Sequence, residues 1–383
     1  MFSFMLLKQV LPTLKSLNYL VMLHYLENKI FGVFFLILLS FSLNGQDYQF
    51  SQFNKAPLLI NPANAGMGKG YNRFNLIYHT QHPTSNFVFQ NYHFSADGPI
   101  FSHKMNTSRG YLGLGFHAFQ EKSANTFSKL DIGITLSSYV DIDDNNQLSF
   151  GFQTDFIQHT INTSSVQWAS QYNNSLGGHD PTINSGEAFF SNSLITFNTA
   201  TGLLWKNSTK DQNLSGIDIA SFQIGYGAFN LFKPRKISLL ANDRAFVRHV
   251  IHGRGLFAIQ ELKYGIAPQF LIQKQGPHFD ATAGADVKYY VKGDTKYTGF
   301  VRECNLGMGL FYRYNDAIIP KFSIQINDLN ISLSYDLSVG PVNNFNGTVG
   351  GFSIGIQYND TYGVLFNQGN MHVVNRSRKM RKL

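Results

Sequence analysis

The sequence is poor in charged residues, in cysteine and in long apolar runs, and each shortage excludes a class of protein. Asp, Glu, Lys and Arg make up 14% of the 383 residues, against roughly 25% in an ordinary soluble domain. Disordered chains have few aromatic residues, whereas this chain has 35 Phe and 19 Tyr. A single cysteine, Cys304, excludes an intramolecular disulfide scaffold. Repeated apolar segments of about 20 residues are also missing, which excludes a helical membrane protein. The classes that remain are a large soluble all-β protein and a membrane β-barrel.

One apolar run near the N-terminus predicts a secretory signal peptide. Residues 30–43 read IFGVFFLILLSFSL, directly after Lys29 and shortly before Gly45. A short apolar core behind a cation and before small residues is typical of a cleaved signal, and it is short for a membrane span. We therefore expect a leader over residues 1–45, with Met22 as an alternative start and an uncleaved anchor as the alternative interpretation.

The positive charge of the chain is concentrated at its C-terminus. The formal net charge is +8, and five cationic side chains lie between Arg376 and Lys382. The rest of the mature chain is nearly neutral and has no basic stripe of the kind that binds nucleic acid. We expect residues 359–383 to form a basic, disordered periplasmic tail, with contact to anionic lipid or an acidic periplasmic partner and a merely solvated end as the two interpretations.

From Tyr71 onwards the dominant pattern is the alternation of apolar and polar residues, which has the period of a β-strand. In residues 279–291, for example, apolar and aromatic side chains occupy one face, and Asp280, Asp286 and Lys288 fall on the other. Fourteen such runs follow one another. They are 71–79, 86–96, 110–120, 129–140, 147–159, 193–205, 221–231, 248–260, 263–274, 279–291, 298–312, 317–327, 329–338 and 350–358.

The length and number of these runs favour a membrane. Strands of soluble proteins are about 5–6 residues long, whereas a tilted strand that crosses a bilayer needs about 9–11. A sheet in lipid must close on itself, because its edge groups would otherwise lack hydrogen-bond partners. The sequence therefore predicts an all-β fold, a transmembrane up-and-down antiparallel β-barrel of about 14 strands over residues 71–358. A soluble β-sandwich is the alternative.

Two sets of side chains resemble reactive sites, but their spacing argues against both. His93, Ser95 and Asp97 share one strand face, where alternate residues lie about 7 Å apart, too far for a direct proton relay. His79, His82 and His93 could meet across the first hairpin, yet they lack the ligand spacing of a zinc site. We expect no enzyme activity, no catalytic residue, no cofactor and no metal.

A glycine-rich run, GYLGLG at residues 110–115, resembles a nucleotide-binding fingerprint. No helix is predicted after it, although the fingerprint requires one. The glycines are better explained by strand curvature or by relief of crowding.

The segment before the first strand, residues 46–70, is not explained by a barrel alone. Pro57 and Pro62 argue against a central strand, and Asn61-Pro62 favours a turn. Phe50 and residues 58–60 nevertheless require burial. We expect a short element that packs against the periplasmic end of the barrel or inside its lumen, with a mobile leader as the alternative.

The same segment resembles the opening signature of the PorP/SprF family, outer-membrane proteins of the type IX secretion system of Bacteroidota. QFSQF at residues 49–53 and PLLINPANAG at residues 57–66 carry most of the resemblance. Further matches are Arg73, SADGP at 95–99, GAFNLFKP at 227–234, LSYD at 333–336 and GGFSI at 350–354. Lys55-Ala56 before Pro57 and HTQH at residues 79–82 depart from the family pattern and leave the subfamily open.

The resemblance implies an outer-membrane barrel that cooperates with the periplasmic ring and motor proteins of the secretion system. In the SprF-like branch it implies help in exporting or anchoring a large gliding-motility adhesin through the C-terminal domain of that adhesin. The residues that carry the signature are then expected to face such partners: Phe50, Ser51, Gln52, Pro57, Asn61, Pro62, Ala65, Gly66, Arg73, Asp97, Tyr335 and Asp336. A passive diffusion channel is the alternative function, because the inner strand face is polar.

Overall fold

A computed structural model of the chain describes residues 50–361, apart from a set of short gaps. The gaps are residue 69, 82–87, 101–109, 125, 163–166, 185, 187–192, 209–219, 236–243, 260–262, 293–302 and 341–348. The predicted leader and residues 362–383 of the predicted tail lie outside the described residues, so the domain boundaries proposed for them stay predictions.

Fourteen antiparallel strands form a closed barrel. Consecutive barrel strands are neighbours, and the sheet closes where β1 pairs with β16, from Asn72 opposite Asp360 to Gln81 opposite Gly351. The barrel strands are β1 (Asn72–Gln81), β2 (Phe89–Ile100), β3 (Gly110–Ser123), β4 (Phe127–Asp141), β5 (Asn146–Ile161), β8 (Ser193–Ser208), β9 (Ala220–Phe229), β10 (Arg248–Ile259), β11 (Tyr264–Gln275), β12 (His278–Lys292), β13 (Cys304–Arg313), β14 (Ala317–Ile326), β15 (Leu329–Ser338) and β16 (Val349–Asp360). Two short strands outside the barrel, β6 (Tyr172–Asn173) and β7 (Gly178–His179), pair with each other.

The predicted up-and-down barrel is confirmed, and each of the fourteen predicted runs corresponds to a strand. The largest difference in the described part of a strand is at the end of β2, which continues to Ile100 although the predicted run ends at residue 96. Pairing with β1 stops at Asp97, while pairing with β3 continues to Ile100. Beyond Asp97 the strand is therefore bonded on one side only, so a proline without an N–H group is tolerated there.

The strand faces divide as the alternation predicts. Along β4 the outward side chains of Ile134 and Leu136 are about half exposed, whereas Asp131, Thr135 and Ser137 point inward and are buried. The outer surface is thus apolar and the inner surface polar, as a lipid-embedded barrel requires.

The chain before β1 forms a compact inner plug, defined here as residues 50–66. It consists of a 3₁₀ turn (Phe53–Lys55), one α-helical turn α1 (Pro57–Ile60) and a second 3₁₀ turn (Pro62–Asn64). Pro57 and Pro62 each begin a turn, where the missing N–H group has no intrahelical partner to lose. Among the described residues, no helix has the length and apolarity needed to cross a membrane.

The inner plug lies in the barrel lumen. Every plug residue except Asn54 is buried, and the surrounding surface is the inner face of the strands. Of the two positions expected for this segment, the lumen is therefore the one observed.

We expect a positive charge on the outer face to destabilise the barrel. Ile134→Arg places a cation at the middle of β4, where the side chain is 54% exposed to the membrane side. The unfolding free energy in lipid vesicles, measured by urea titration, should fall by about 2–4 kcal/mol. Asn145→Arg, in the exposed turn between β4 and β5, is the control and should change little. Equal effects of the two substitutions would contradict a lipid-facing position for Ile134.

Candidate functional site: the filled lumen

The inner plug spans the lumen from one wall to the opposite wall. Its contacts and hydrogen bonds reach β1–β5, β8–β10, β13, β15 and β16. In the strand order around the barrel, β13 and β4 lie on opposite sides. The plug therefore contacts opposite walls of the barrel. Four groups of contacts hold it in place.

The first group fixes the start of the plug through a buried ion pair. Arg313 Nη2 lies 2.8 Å from Asp336 Oδ2 and also donates to Ser51 Oγ at 2.8 Å. Ser51 in turn donates to Asp336 Oδ2 at 2.6 Å. The second guanidinium nitrogen of Arg313 pairs with Asp316 at 2.7 Å. Charge-assisted bonds of this kind are stronger than neutral ones, so Ser51 is held at a fixed place on β13 and β15.

The second group surrounds Gln52 with hydrogen-bonding partners on β15 and β16. Its Nε2 donates to Ser353 O at 3.1 Å and to Ser334 Oγ at 3.2 Å, while its Oε1 accepts from Ser332 Oγ. Lys55 Nζ donates to the backbone and side-chain oxygens of Asn330 on the same wall. Donors and acceptors of the amide are both satisfied, which is the condition for burying it without penalty.

The third group fixes the end of the plug. Arg73 of β1 forms a two-pronged ion pair with Asp97 of β2, with Nε–Oδ1 and Nη2–Oδ2 distances of 2.9 Å each. Arg73 also donates to the carbonyl of Asn64 at 3.0 Å, and Asp97 accepts the N–H of Gly66 at 2.8 Å. One pair of charges on the wall thus bonds both a carbonyl and an N–H group of the plug, which fixes the direction of the chain as it enters β1.

The fourth group holds the middle of the plug. Asn61 Nδ2 donates to Leu203 O at 2.9 Å and lies 3.1 Å from His252 Nε2, while its Oδ1 caps the following turn at Ala63 N. The single hydroxyl proton of Tyr139 is shared between the carbonyl oxygens of Ala63 and Ala65, which lie 2.7 and 2.8 Å from the hydroxyl oxygen. Ser149 donates to Ala63 O and Ser137 to Ala65 O, at 2.9 and 2.6 Å. The wall thereby satisfies backbone groups that so short a helix leaves open.

Apolar side chains of the plug pack in two clusters on either side of these bonds. Phe53 and Ile60 join one cluster of buried wall side chains, and Phe50 and Leu59 join the other. The rings of Phe53 and Phe311 pack edge to face at 6.2 Å. Each such buried side chain contributes about 1.5–3 kcal/mol, so the plug is held by apolar burial as well as by hydrogen bonds.

Glycines line the wall where the plug comes closest. A Cβ on Gly151 would collide with the backbone of Pro62 and Ala63, and one on Gly113 would collide with the carbonyl of Ala65. A Cβ on Gly227 would lie 2.7 Å from Ile60 O. Gly113 belongs to the run that resembled a nucleotide fingerprint, so its role in relieving crowding is confirmed, and the crowding comes from the plug.

The plug ends at Gly66, whose φ of 77° lies in the left-handed region. A side chain there would be strained by the backbone conformation and would also meet Gly113 Cα at 2.8 Å. The glycine that closes the NPANAG run is therefore required both for the turn and for the contact with β3.

The structure gathers most of the signature residues in one lumenal contact region. Eight of them belong to the plug, and Arg73, Asp97 and Asp336 are their wall partners. Tyr335 is the exception, because its side chain points outward from β15 and is partly exposed. The expectation that these residues face other proteins stays a prediction, whereas their contacts with the barrel wall are observed.

The residues of the two candidate reactive sets bond to other partners rather than to one another. Ser95 Oγ accepts from Asn75 at 3.1 Å, and Asp97 is bonded to Arg73, so neither is engaged with His93. His79 Nδ1 lies 2.6 Å from Ser353 Oγ. His82 lies outside the described residues.

Several plug-binding residues were missed by sequence reasoning: Ser137, Tyr139, Ser149, Arg248, His252, Arg313 and Asn330. Arg248 donates to Leu59 O at 3.2 Å and stacks its guanidinium 4.4 Å from the ring of Phe229. All seven occupy inward positions of the alternating pattern, which was the one available signal. That pattern assigns a face and gives no indication of which inward side chains meet the plug.

A cavity of about 260 Å³ remains beside the plug. Six cationic side chains line it, and Asp286 is the single carboxylate among its described lining residues. Lys321 Nζ pairs with that carboxylate at 3.0 Å. The cations are Lys55, Arg73, Lys206, Arg254, Lys288 and Lys321. The lining of this cavity therefore carries a net positive charge.

A closed barrel with an apolar outer face and an internal plug defines an outer-membrane β-barrel protein whose lumen is filled by its own N-terminal segment. The family model described as type IX secretion system membrane protein PorP/SprF matches residues 42–358. The chain therefore belongs to the PorP/SprF family, and the resemblance inferred from the signature is confirmed. Comparison with curated proteins finds no match.

Solved outer-membrane barrels show the same general architecture at low similarity. The toluene transporter TbuX of Ralstonia pickettii is 10% identical, with a TM-score of 0.43 over 80% of this chain and 93% of the transporter. BamA of Haemophilus ducreyi, lacking POTRA domains 1–3, is 10% identical, with a TM-score of 0.38 over 76% of this chain and 70% of that one. Similarity at this level is no evidence for a shared ligand or activity.

We expect Asp97→Asn to loosen the end of the plug. The change leaves Arg73 buried beside a neutral amide, and breaking a buried ion pair costs about 3–5 kcal/mol. Hydrogen exchange of residues 50–66, followed by mass spectrometry, should accelerate by roughly a hundredfold to several thousandfold, since each 1.4 kcal/mol is about tenfold.

Asp141→Asn is the matched control for this experiment, because Asp141 bonds Gln147 within the wall. Peptides of the barrel strands should keep their protection in both variants. If the plug exchanged equally slowly in Asp97→Asn and in the unaltered protein, the ion pair would not hold the plug.

We expect Gly151→Ala to push the plug away from β5. The added methyl group would overlap plug backbone, which cannot rotate aside as a flexible side chain does, and overpacking of this kind costs about 1–3 kcal/mol. Channel recordings in planar bilayers should show openings absent from the unaltered protein. Gly178→Ala is the control, because no heavy atom lies within 4 Å of a Cβ at that position. If Gly151→Ala gave recordings without openings, the contact between β5 and the plug would not be what closes the lumen to ions.

Proposed function

We propose that this protein is a non-enzymatic, plugged component of the type IX secretion system that works through partner proteins. In this proposal it cooperates with the periplasmic ring and motor and helps to export or anchor a large adhesin-type cargo, as in gliding motility, through the C-terminal domain of the cargo. Membership of the PorP/SprF family supports the first part. The filled lumen is the observation that carries the second.

A lumen that is filled from wall to wall suits a docking or anchoring role better than diffusion. The plug is bonded at its start by Ser51, at its middle by Asn61 and at its end by Gly66. A diffusion channel has no use for so many specific bonds across its own pore. Because most signature residues bind the wall, we propose that they maintain the plugged barrel that partners recognise rather than contact those partners directly.

The non-enzymatic part of the proposal is supported by the bonding of the candidate groups. Ser95 and Asp97 have other partners, and the family and fold are those of a secretion or transport membrane protein. Purified protein should have no hydrolase activity that Ser95→Ala removes.

We expect loss of the gene to abolish surface display of one or a few exported proteins. Cells without the gene should be complemented with the unaltered gene, with Gly151→Ala or with the control Gly178→Ala, and their surface proteins labelled and identified by mass spectrometry. Display should return with the unaltered gene and with Gly178→Ala, and return incompletely with Gly151→Ala. Normal display of every type IX cargo in the deletion strain would contradict the proposal.

Affinity purification of the outer-membrane complex identifies the partners directly. The unaltered barrel should recover ring or motor proteins together with a cargo, whereas Gly151→Ala should recover less cargo at equal barrel yield. Recovery of the barrel without any secretion component would argue against cooperation with the motor.

A passive diffusion channel is the second candidate, and the electropositive cavity is the observation that favours it. Fixed positive charge in a narrow lumen attracts anions, so a channel built on this cavity would be anion-selective. Stable openings of the unaltered protein, with a reversal potential set by chloride, would support the channel. A silent protein would support the plugged component.

A further inference from the structure

Three inward-facing side chains of neighbouring strands converge at one point of the lumen wall. They are His117 of β3, Asp131 of β4 and Asp155 of β5, and their potential ligand atoms lie within 4.8 Å of one another. His117 Nε2 lies 3.5 Å from Asp131 Oδ1 and 3.8 Å from Asp155 Oδ1. This cluster is separate from the contacts that hold the plug.

A glycine creates the space in which they meet. Gly133 of β4 pairs with His117 on one side and with Asp155 on the other. A Cβ on Gly133 would collide with the imidazole ring and with Asp155 Oδ1. The missing side chain therefore allows the histidine and the carboxylate to approach across an intervening strand.

The cluster is buried, and three of its potential ligand atoms have no hydrogen-bond partner. The His117 side chain is fully buried, neither of its ring nitrogens has a hydrogen-bond partner, and Asp131 Oδ1 has none either. Within the part of the chain that the structure describes, neither carboxylate has a Lys or Arg within ion-pair distance. Buried polar atoms normally find partners, so each exception requires an explanation.

Asp155 is also oriented by its neighbours. Gln153 Nε2 donates to Asp155 Oδ1 at 2.9 Å, and Asn198 Nδ2 lies 3.4 Å from Oδ2. Thr135 donates to Gln153 Oε1 at 2.9 Å and fixes that amide. Carboxylates that bind metal ions are typically hydrogen-bonded to neighbouring side chains in this way.

We propose that His117, Asp131 and Asp155 bind one divalent transition-metal ion, and zinc is the ion that we assign to this site. One imidazole nitrogen and two carboxylate oxygens form a donor set that zinc accepts, and three protein ligands leave a position for water. Ligand atoms about 2.1 Å from a tetrahedral zinc lie about 3.4 Å apart, close to the two distances from His117. The alternative is an ion pair between a charged His117 and the two carboxylates, which would take up no zinc.

The ion would join β3, β4 and β5, the strands that carry Gly113, Tyr139 and Ser149 against the plug. Its role is therefore structural, to fix this wall while the plug is in place. The proposal is independent of the secretion role, because metal content is measured on the purified barrel.

Metal uptake by the full chain in detergent provides the test. Protein stripped with a chelator and incubated with zinc should retain about one equivalent per chain, measured by elemental mass spectrometry after gel filtration. Asp155→Asn and His117→Gln should lower zinc affinity by tenfold or more. Asp280→Asn, a buried carboxylate elsewhere in the wall, and His249→Gln, an outward imidazole bonded to Tyr226, are the matched controls and should retain zinc. Uptake below a tenth of an equivalent by the unaltered protein, or equal affinity in all four variants, would overturn the proposal.

X-ray absorption of the zinc-loaded unaltered protein keeps the proposal testable if the variants fail to fold. The expected first shell contains one imidazole and otherwise oxygen ligands. A sulfur ligand, which Cys304 would supply, or a shell without imidazole would overturn the assignment.

Discussion

The interior of this barrel is governed by the need of buried polar groups for partners. Lipid outside offers no hydrogen bonds, so the strands must close into a barrel. Because side chains alternate along each strand, every second side chain then points into the lumen, and most of these are polar. In this barrel the plug supplies partners for many of these inward groups. The pair of Arg73 and Asp97 illustrates the solution, because it bonds a carbonyl and an N–H group of the plug as well as each other.

This constraint explains why the plug is irregular. A long helix would satisfy its own backbone and offer few groups to the wall, whereas three single turns leave carbonyls free at Ala63 and Ala65 for Tyr139. Backbone bonding of this kind requires close approach, and close approach requires glycine in the strand that faces it, as at Gly151. Glycines of the strands and prolines of the plug therefore belong to the same contact, as Gly151 and Pro62 show.

The strands could be predicted from the sequence because alternation is a local property. Residues 279–291 show their two faces without any knowledge of the rest of the chain, and the structure places those faces as expected. The importance of residues 50–66 was also visible, since the prolines excluded a strand and the apolar residues required burial.

The contacts of the plug could not be predicted, because they join distant parts of the chain with no shared period. Ser51 and Arg313 are 262 positions apart, and their meeting depends on the number of strands between them and on the register of each pair. The cluster of His117, Asp131 and Asp155 was missed for the same reason. Each of its residues is an ordinary inward polar position on its own strand, and the cluster exists only through the cross-strand register at Gly133.

The same contacts determine how the lumen can open. Release of the plug would expose Phe50, Phe53 and residues 58–60 to water, at a cost on the order of 10 kcal/mol for five side chains of this size, an upper estimate because a released segment stays partly collapsed. Water could replace the hydrogen bonds of Gln52 and Asn61, but it cannot replace the apolar contacts. Spontaneous release of the whole plug is therefore rare, whereas a local shift of the plug at one wall contact, as at Gly151, costs much less.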